Sequence, residues 1–189
     1  MSDLMRPRQR GFSLIEVLIV IVMVGLLMSI VIPRFRVSET TKARQAADQL
    51  VRDLEAARSR ALATRSLARV AINAVSGSYT GYLDDNRDGA VAQSAVETSA
   101  LASFRSRALE TDVRIGRGAA PDLPGYAGGG SVTLPNSRVD FDSRGLTTPL
   151  GTSGVVYLQS TIDPAVVTAV SVSGAAGIRS WVYLGGVWQ

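Results

Sequence analysis

Residues 12–32 read FSLIEVLIVIVMVGLLMSIVI and decide how the rest of the chain is interpreted. Glu16 is the one charged side chain in these 21 residues, and Pro33 and Arg34 end the apolar run. As an α-helix rising about 1.5 Å per residue, the run would be ~31 Å long, which matches the ~30 Å hydrocarbon core of a bilayer. The sequence therefore predicts a membrane-embedded helix near the amino terminus.

A cleavable secretory signal is the rival interpretation of this segment. Such a signal has a basic start, an apolar stretch of about 7–15 residues and then a small-residue cleavage site. The basic start is present in residues 6–10, RPRQR, but the apolar stretch is longer and residues 33–36 read PRFR. The cleavable secretory pattern is therefore absent.

Composition excludes most enzyme classes. The chain has no Cys and no His, which rules out thiolate metal sites, His ligands, cysteine nucleophiles and Ser-His-Asp triads. The net charge is +4, of which residues 1–11 supply +2 from three arginines and one aspartate. The remaining +2 is too small for a bulk argument for nucleic-acid binding, which would have to rest on local arginine clusters.

The rest of the chain changes from helical to strand-like patterning. Helical spacing over 39–66 places apolar residues on one face at Ala43, Ala46, Ala47, Leu50, Leu54, Ala57, Ala61 and Leu62. Alternating patterns and turn residues predict strands near 67–74, 78–83, 112–116, 131–134, 138–142, 155–160, 166–173 and 178–184, with a loop at 117–130. We expect an α+β fold, in which a long amino-terminal stem helix packs on an antiparallel sheet or small sandwich.

Glu16 is costly where it stands, because a carboxylate in hydrocarbon costs about 2.5–3.5 kcal/mol on insertion scales. A functional role with a charged partner is one interpretation. The other is that Glu16 lies near the interface and stays hydrated.

Residues 10–16, RGFSLIE, followed by the apolar run, resemble the class III signal of type IV prepilins and type II secretion pseudopilins. The resemblance implies that a membrane aspartyl protease cuts between Gly11 and Phe12 and that the new amino terminus at Phe12 is methylated. It implies that Glu16 pairs with the terminal amine of a neighbouring subunit, and that Pro33 kinks the stem helix. Basic residues flank both ends of the run, so the cytoplasmic amino end also comes from the resemblance and not from charge.

The second half resembles one branch of that superfamily, the GspH minor pseudopilins and FimT minor pilins. The resemblance is carried by AARSRALATRSLARVAI at 56–72, LDDNRDGAV at 83–91, VDFDSRGLTT at 139–148 and GIRSWVYL at 177–184. Arg58, Ala61, Phe141 and Gly145 stand where the branch has similar residues.

The resemblance implies a domain order and a location. It divides the chain into a cleaved leader (1–11), a membrane-spanning half of the stem helix (12–33), a periplasmic half (34–66) and a GspH/FimT-like β-rich domain (67–189). The protein would be a single-pass inner-membrane protein with its carboxyl-terminal domain in the periplasm. Its partners would be other pilins or pseudopilins, the prepilin peptidase and methyltransferase, the inner-membrane assembly platform and membrane lipid.

Residues 84–89, DDNRDG, match the first half of an EF-hand loop, with candidate oxygens on Asp84, Asn86 and Asp88. The twelfth position is Ala95, so the bidentate carboxylate is missing and calcium would bind weakly. The alternative is a polar hairpin loop between strands with no cofactor.

Arginines suggest a second binding hypothesis. Arg105, Arg107 and Arg179 are candidate contacts to a DNA backbone, since guanidinium groups bind phosphate well. FimT-like pilins implicated in DNA uptake carry a Gly-Arg-x-Arg type motif, of which residues 177–180, GIRS, keep one arginine. The alternative is an ordinary solvated arginine-rich surface.

Two further groups indicate structural roles. Trp181 and Tyr183 share a strand face and should pack in the core, whereas Trp188 could be exposed to a partner. Asp140 and Asp142 share a face, but without a nucleophile motif they do not indicate catalysis.

Together with the composition, the resemblance implies a non-enzymatic minor pseudopilin near the tip of a type II secretion pseudopilus that drives protein secretion. The alternative is a FimT-like minor pilin of a type IV pilus that binds DNA during natural transformation.

Overall fold

The computed structural model describes residues 13–31, 38–101 and 105–189. The chain divides into two compact units, Met1–Val37 and Ser38–Gln189. Each unit is described by itself.

The first unit contains helix α1, Leu14–Val31. Its apolar residues lie on every side, and the large ones between Leu14 and Leu27 are exposed. No helix within 13–31, 38–101 or 105–189 combines the length and the hydropathy of a membrane crossing. The predicted span, 12–33, begins and ends outside the described residues.

Helix α2, Glu39–Thr64, opens the second unit. The Ser38 side chain caps its start by accepting from the Thr41 N–H, and Arg65 ends it in the left-handed region at φ 54°. The predicted helix over 39–66 is therefore confirmed apart from its last two residues. The predicted apolar face is also confirmed except at Leu62, whose side chain is 45% exposed.

Within the described residues, ten strands form two antiparallel sheets. The first sheet has the order β3-β2-β1-β5-β6 and consists of β1 (Ala68–Asn73), β2 (Ser78–Leu83), β3 (Ser106–Ala108), β5 (Arg138–Phe141) and β6 (Thr147–Thr148). The second has the order β10-β9-β8-β7-β4 and consists of β4 (Val113–Ile115), β7 (Gly154–Ser160), β8 (Val167–Val172), β9 (Ile178–Leu184) and β10 (Val187–Trp188). The α+β expectation is confirmed.

Seven of the eight predicted strands are present, and one is reduced. Residues 131–134 form only a bridge between Val132 and Val156 instead of a strand, because the chain turns at Pro135. Helix α3, Ala95–Ala100, and the short strands β3, β6 and β10 were not predicted from the sequence.

Helix α2 packs against strands of both sheets and closes the main core. Its Leu50 and Leu54 are fully buried, as are Phe141 and Val139 of β5. Full burial of each large side chain contributes about 1.5–3 kcal/mol. A second, smaller cluster lies around Leu123, Tyr157 and Val167 and includes the chain's two tryptophans at its margin.

Candidate functional site

The described part of the amino-terminal motif begins at Ser13. Its carbonyl accepts from the Glu16 N–H at 3.0 Å and from the Val17 N–H at 3.2 Å, so Glu16 lies in the first turn of α1. A carboxylate is favoured there because the amino end of a helix carries partial positive charge. Gly11, Phe12 and Pro33 lie outside the described residues, so their roles in processing and kinking stay predictions.

Glu16 is an exposed carboxylate on an apolar helix. Its neighbours Leu14 and Ile15 are 85% and 65% exposed, and α1 contains no basic residue. A cationic partner for Glu16 therefore has to come from outside α1. The pairing of Glu16 with the terminal amine of a neighbouring subunit stays a prediction.

The four residues that suggested the GspH/FimT branch come together in the fold. The Arg58 side chain on α2 donates through Nε to the Gly145 carbonyl at 2.9 Å, across 87 positions of sequence. Ala61 and Phe141 are completely buried in the same core cluster. Gly145 has φ +71°, and a Cβ there would lie 3.0 Å from the Leu62 side chain. The four residues of the branch pattern thus lie at the contact between α2 and the turn from β5 to β6.

Asp142 holds that turn in place. Its Oδ1 accepts from the Arg144 and Leu146 N–H groups at 2.8 and 3.0 Å, and its Oδ2 accepts from the Arg144 guanidinium. Burial disfavours the charged form, but the hydrogen bonds from Leu146 and Arg144 outweigh it, so the pKa of Asp142 lies below its ordinary value.

Asp140 has a separate partner. Both of its oxygens accept from Arg69 at 2.7 Å, and Arg69 also donates to the Val91 carbonyl at 3.0 Å. Asp140 and Asp142 are thus each bound by an arginine of their own. Both carboxylates hold the fold together.

Arg107, a predicted DNA contact, is an ion-pair partner. Its Nε donates to Asp53 Oδ2 at 2.7 Å. The Tyr79 hydroxyl donates to the same oxygen at 2.6 Å, and Gln49 donates to Asp53 Oδ1 at 3.1 Å. Burial, together with the hydrogen bond to Asp53, raises the pKa of Tyr79. Sequence reasoning missed Asp53, although a charged residue three positions after Leu50, within the apolar face of α2, was the available signal.

The other two predicted DNA contacts are exposed but lie on different sheets. Arg105 directly precedes β3 at the edge of the first sheet, and Arg179 lies on β9 in the second. Two further arginines that follow Arg107 in the sequence have partners within the domain: Arg117 pairs with Asp122, and Arg114 donates to Gln159. The fold does not gather the predicted contacts into one cluster.

The acidic loop after β2 uses its oxygens on its own backbone. Asp84 is buried and accepts from the Asp88 and Gly89 N–H groups at 3.2 and 3.0 Å. Asn86 Oδ1 accepts from the Asp88 N–H at 3.1 Å, and Asp88 Oδ1 accepts from the Ala90 N–H at 2.8 Å. Over the residues that the structure describes, no group of three or more acidic side chains is placed to hold a metal ion. Calcium binding by Asp84, Asn86 and Asp88 stays a prediction.

The loop was expected to be a hairpin, and this detail is wrong. It leads from β2 into α3, whose Ser94 cap accepts from the Glu97 N–H at 3.3 Å. Glu97 is buried and accepts from the Ala92 and Gln93 N–H groups at 2.6 and 3.1 Å. A Ser-x-x-Glu capping box at 94–97 was the signal that could have revealed the helix.

The aromatic residues at the carboxyl end pack on the second sheet. Trp181 is half-buried and donates through Nε1 to Ser171 Oγ at 2.9 Å. Trp188, which we expected to be exposed, is also half-buried, with its ring 5.2 Å from that of Tyr183 and 5.8 Å from that of Tyr157. The exposed position is wrong because β10 folds back along β9 and brings Trp188 beside Tyr183.

Comparisons with known proteins bear on both units. Residues 6–32 match the family described as the prokaryotic N-terminal methylation motif. The prepilin-type resemblance of residues 10–16 is confirmed by this match. No curated protein matches the chain.

Solved structures of two kinds are similar to the chain. The minor pseudopilin EpsH from the type 2 secretion system of Vibrio cholerae is 12% identical, with a TM-score of 0.49, over 77% of this chain and 99% of that one. The type IV minor pilin FimU of Pseudomonas aeruginosa is 14% identical, with a TM-score of 0.48, over 78% of this chain and 92% of that one.

Proposed function

We propose that the protein is a minor pseudopilin, a non-catalytic subunit of the type II secretion system that assembles near the tip of a periplasmic pseudopilus. The observation that carries the proposal is the methylation motif at 6–32, within which the carboxylate Glu16 stands on an otherwise apolar helix. The peptidase would cut after Gly11 and leave methylated Phe12 as the first residue.

The character of α1 supports a membrane anchor. A helix that is apolar all round needs an apolar environment on every side. The large side chains described on α1 are exposed, so their cover has to come from lipid or from other subunits. We place the predicted membrane span, 12–33, in the inner membrane and the domain formed by α2 and the two sheets in the periplasm.

Glu16 supplies the assembly chemistry in this proposal. In low dielectric, a carboxylate and an ammonium group attract far more strongly than in water, and either one left alone is costly. A neighbouring subunit's terminal amine would therefore fix the register of the two helices. A single buried polar group sets register in coiled coils in the same way.

The charged groups of the domain support a mechanical role. Asp53, Asp140 and Asp142 each hold an arginine in an ion pair, and Glu97 accepts from the backbone N–H groups of Ala92 and Gln93 just before α3. These carboxylates stabilise the fold, and we assign none of them to catalysis.

The second candidate is a FimT-like minor pilin that binds DNA. The exposed side chains of Arg105 and Arg179 support this candidate, whereas Arg107 forms an ion pair with Asp53. We place it second because the two exposed arginines lie on different sheets.

The test is complementation in the native host after deletion of the gene. We expect Glu16→Ala and Glu16→Val to insert and to be processed, yet to leave secretion at the level of the deletion strain. Glu55→Ala, which removes an exposed carboxylate from α2, is the matched control and should restore secretion. Full secretion by both Glu16 variants would refute the pairing role. Loss of pilus-dependent motility with normal secretion in the deletion strain would favour the second candidate.

A further inference from the structure

Half of the outer edge of β9 carries no strand. Val182 donates to and accepts from Gln189 at 2.9 and 3.0 Å, so its N–H and C=O groups point away from β8. Along an antiparallel strand this direction repeats at every second residue. The N–H and C=O groups of Ser180 and Ile178 therefore point the same way, and β10 reaches neither of them. Over residues 38–101 and 105–189, these outward groups have no hydrogen-bond partner.

A groove runs beside this open edge. It lies between α2 and β9 and is lined by Arg44, Ala47, Asp48, Ser180, Val182 and Gln189. Ala47 is buried and forms an apolar floor, while Arg44 and Asp48 are exposed at the rim. Side chains on the α2 side of an added strand would enter this groove.

We propose that the β9 edge at 178–180 binds an extended segment of a partner protein, which adds as an antiparallel strand and carries an acidic residue opposite Arg179. The edge already accepts a strand in this orientation, because β10 lies antiparallel along its other half. The added strand continues that line. Its side chain opposite Ser180 faces Ala47 and is small and apolar.

The charge at the edge selects the occupant. Arg179 is exposed on the sheet face away from α2, and opposite charges placed across two strands are favourable. A second copy of β9 paired about position 179 would instead set Arg179 against Arg179. Like charges directly opposite are destabilising, so the edge selects an acidic partner over itself. This binding does not depend on the proposed filament role.

The test uses the ¹⁵N-labelled full-length protein in detergent micelles and a short capped peptide with valine on both sides of a central glutamate. We expect the peptide to slow hydrogen exchange at the Ser180 and Ile178 amides and to leave Val187 unchanged. Ser180→Pro removes an outward N–H that no bond to β8 uses and should abolish binding, while Ser180→Ala keeps that N–H and should bind normally. Unchanged exchange at Ser180 with saturating peptide would overturn the proposal.

If the proline variant fails to fold, the proposal can still be tested by reversing the charge at position 179 and at the centre of the peptide. Arg179→Glu should weaken the glutamate peptide about five-fold, at the upper end of a cross-strand pair. The same peptide with lysine at its centre should bind this variant more tightly than it binds the wild type. Equal affinity of both peptides for both proteins would refute the acidic preference.

Discussion

Replacing Asp53 with alanine should destabilise the domain by removing a buried carboxylate with three hydrogen-bond donors. Asp53 is the carboxylate on the buried face of α2, 5% exposed, and it accepts from Tyr79, Arg107 and Gln49. These bonds join α2 to β2 and to the edge strand β3. Removing the carboxylate therefore loosens the contact between the helix and the first sheet.

The magnitude follows from the burial of each partner. The Tyr79 hydroxyl donates to a charged acceptor inside the core, and losing such a bond costs about 1.5–3 kcal/mol. The Arg107 side chain is 43% exposed and can return to water, so its ion pair contributes only about 0–1 kcal/mol. We expect Asp53→Ala to lower the free energy of unfolding by about 2–4 kcal/mol.

Urea unfolding of the compact unit 38–189, followed by the fluorescence of its two tryptophans, measures this change. Asp53→Asn keeps an oxygen acceptor and should cost about half as much, roughly 1–2 kcal/mol. Asp48→Ala removes an exposed carboxylate one turn away and should stay within about 0.5 kcal/mol of wild type. If Asp53→Ala unfolds at the wild-type urea concentration, the argument from burial is refuted.

Three further predictions concern other parts of the domain. Gly145→Ala should lower the free energy of unfolding by about 1–2 kcal/mol because of its left-handed backbone, with a small added cost from the contact of the new Cβ with Leu62. Gly151→Ala, where the added Cβ meets nothing, lacks this steric cost, so equal urea midpoints for the two variants would contradict the prediction. Because folding lowers the pKa of Asp142, the ionised carboxylate stabilises the fold above its ordinary pKa, and this stabilisation is lost as the pH falls through the folded-state pKa. The difference in unfolding free energy between wild type and Asp142→Asn should therefore be large near neutral pH and shrink in acid. A difference that grows in acid would refute the lowered pKa. In DNA titrations across salt concentrations, Arg105→Ala should weaken binding, whereas Arg107→Ala should chiefly lower the free energy of unfolding, by at most about 1 kcal/mol. If only Arg107→Ala reduced the salt dependence of binding, Arg107 and not Arg105 would be the DNA contact.

Elements with a strong local pattern could be predicted from the sequence. Apolar spacing and turn residues predict the apolar run 12–32, helix α2 and seven of the strands. The order of weak motifs also carried information, since Arg58 and Gly145 prove to be joined by a hydrogen bond.

The features that could not be predicted from the sequence depend on contacts between residues far apart in the chain. Strands of two or three residues, such as β6 and β3, are defined by the strands beside them and have no period of their own. Arg107 resembled a surface cation because its partner, Asp53, lies 54 positions away on a helix. Trp188 resembled an exposed residue because only the return of β10 along β9 covers it.

If the chain is a prepilin-type subunit, processing gives its mature amino terminus a defined mass. The full-length protein would be produced together with a prepilin peptidase, purified from membranes and analysed by intact-mass and amino-terminal peptide mass spectrometry. We expect a chain that starts at Phe12 and carries one added methyl group. A chain that still starts at or near Met1, or one cut beyond Ile32, would contradict it.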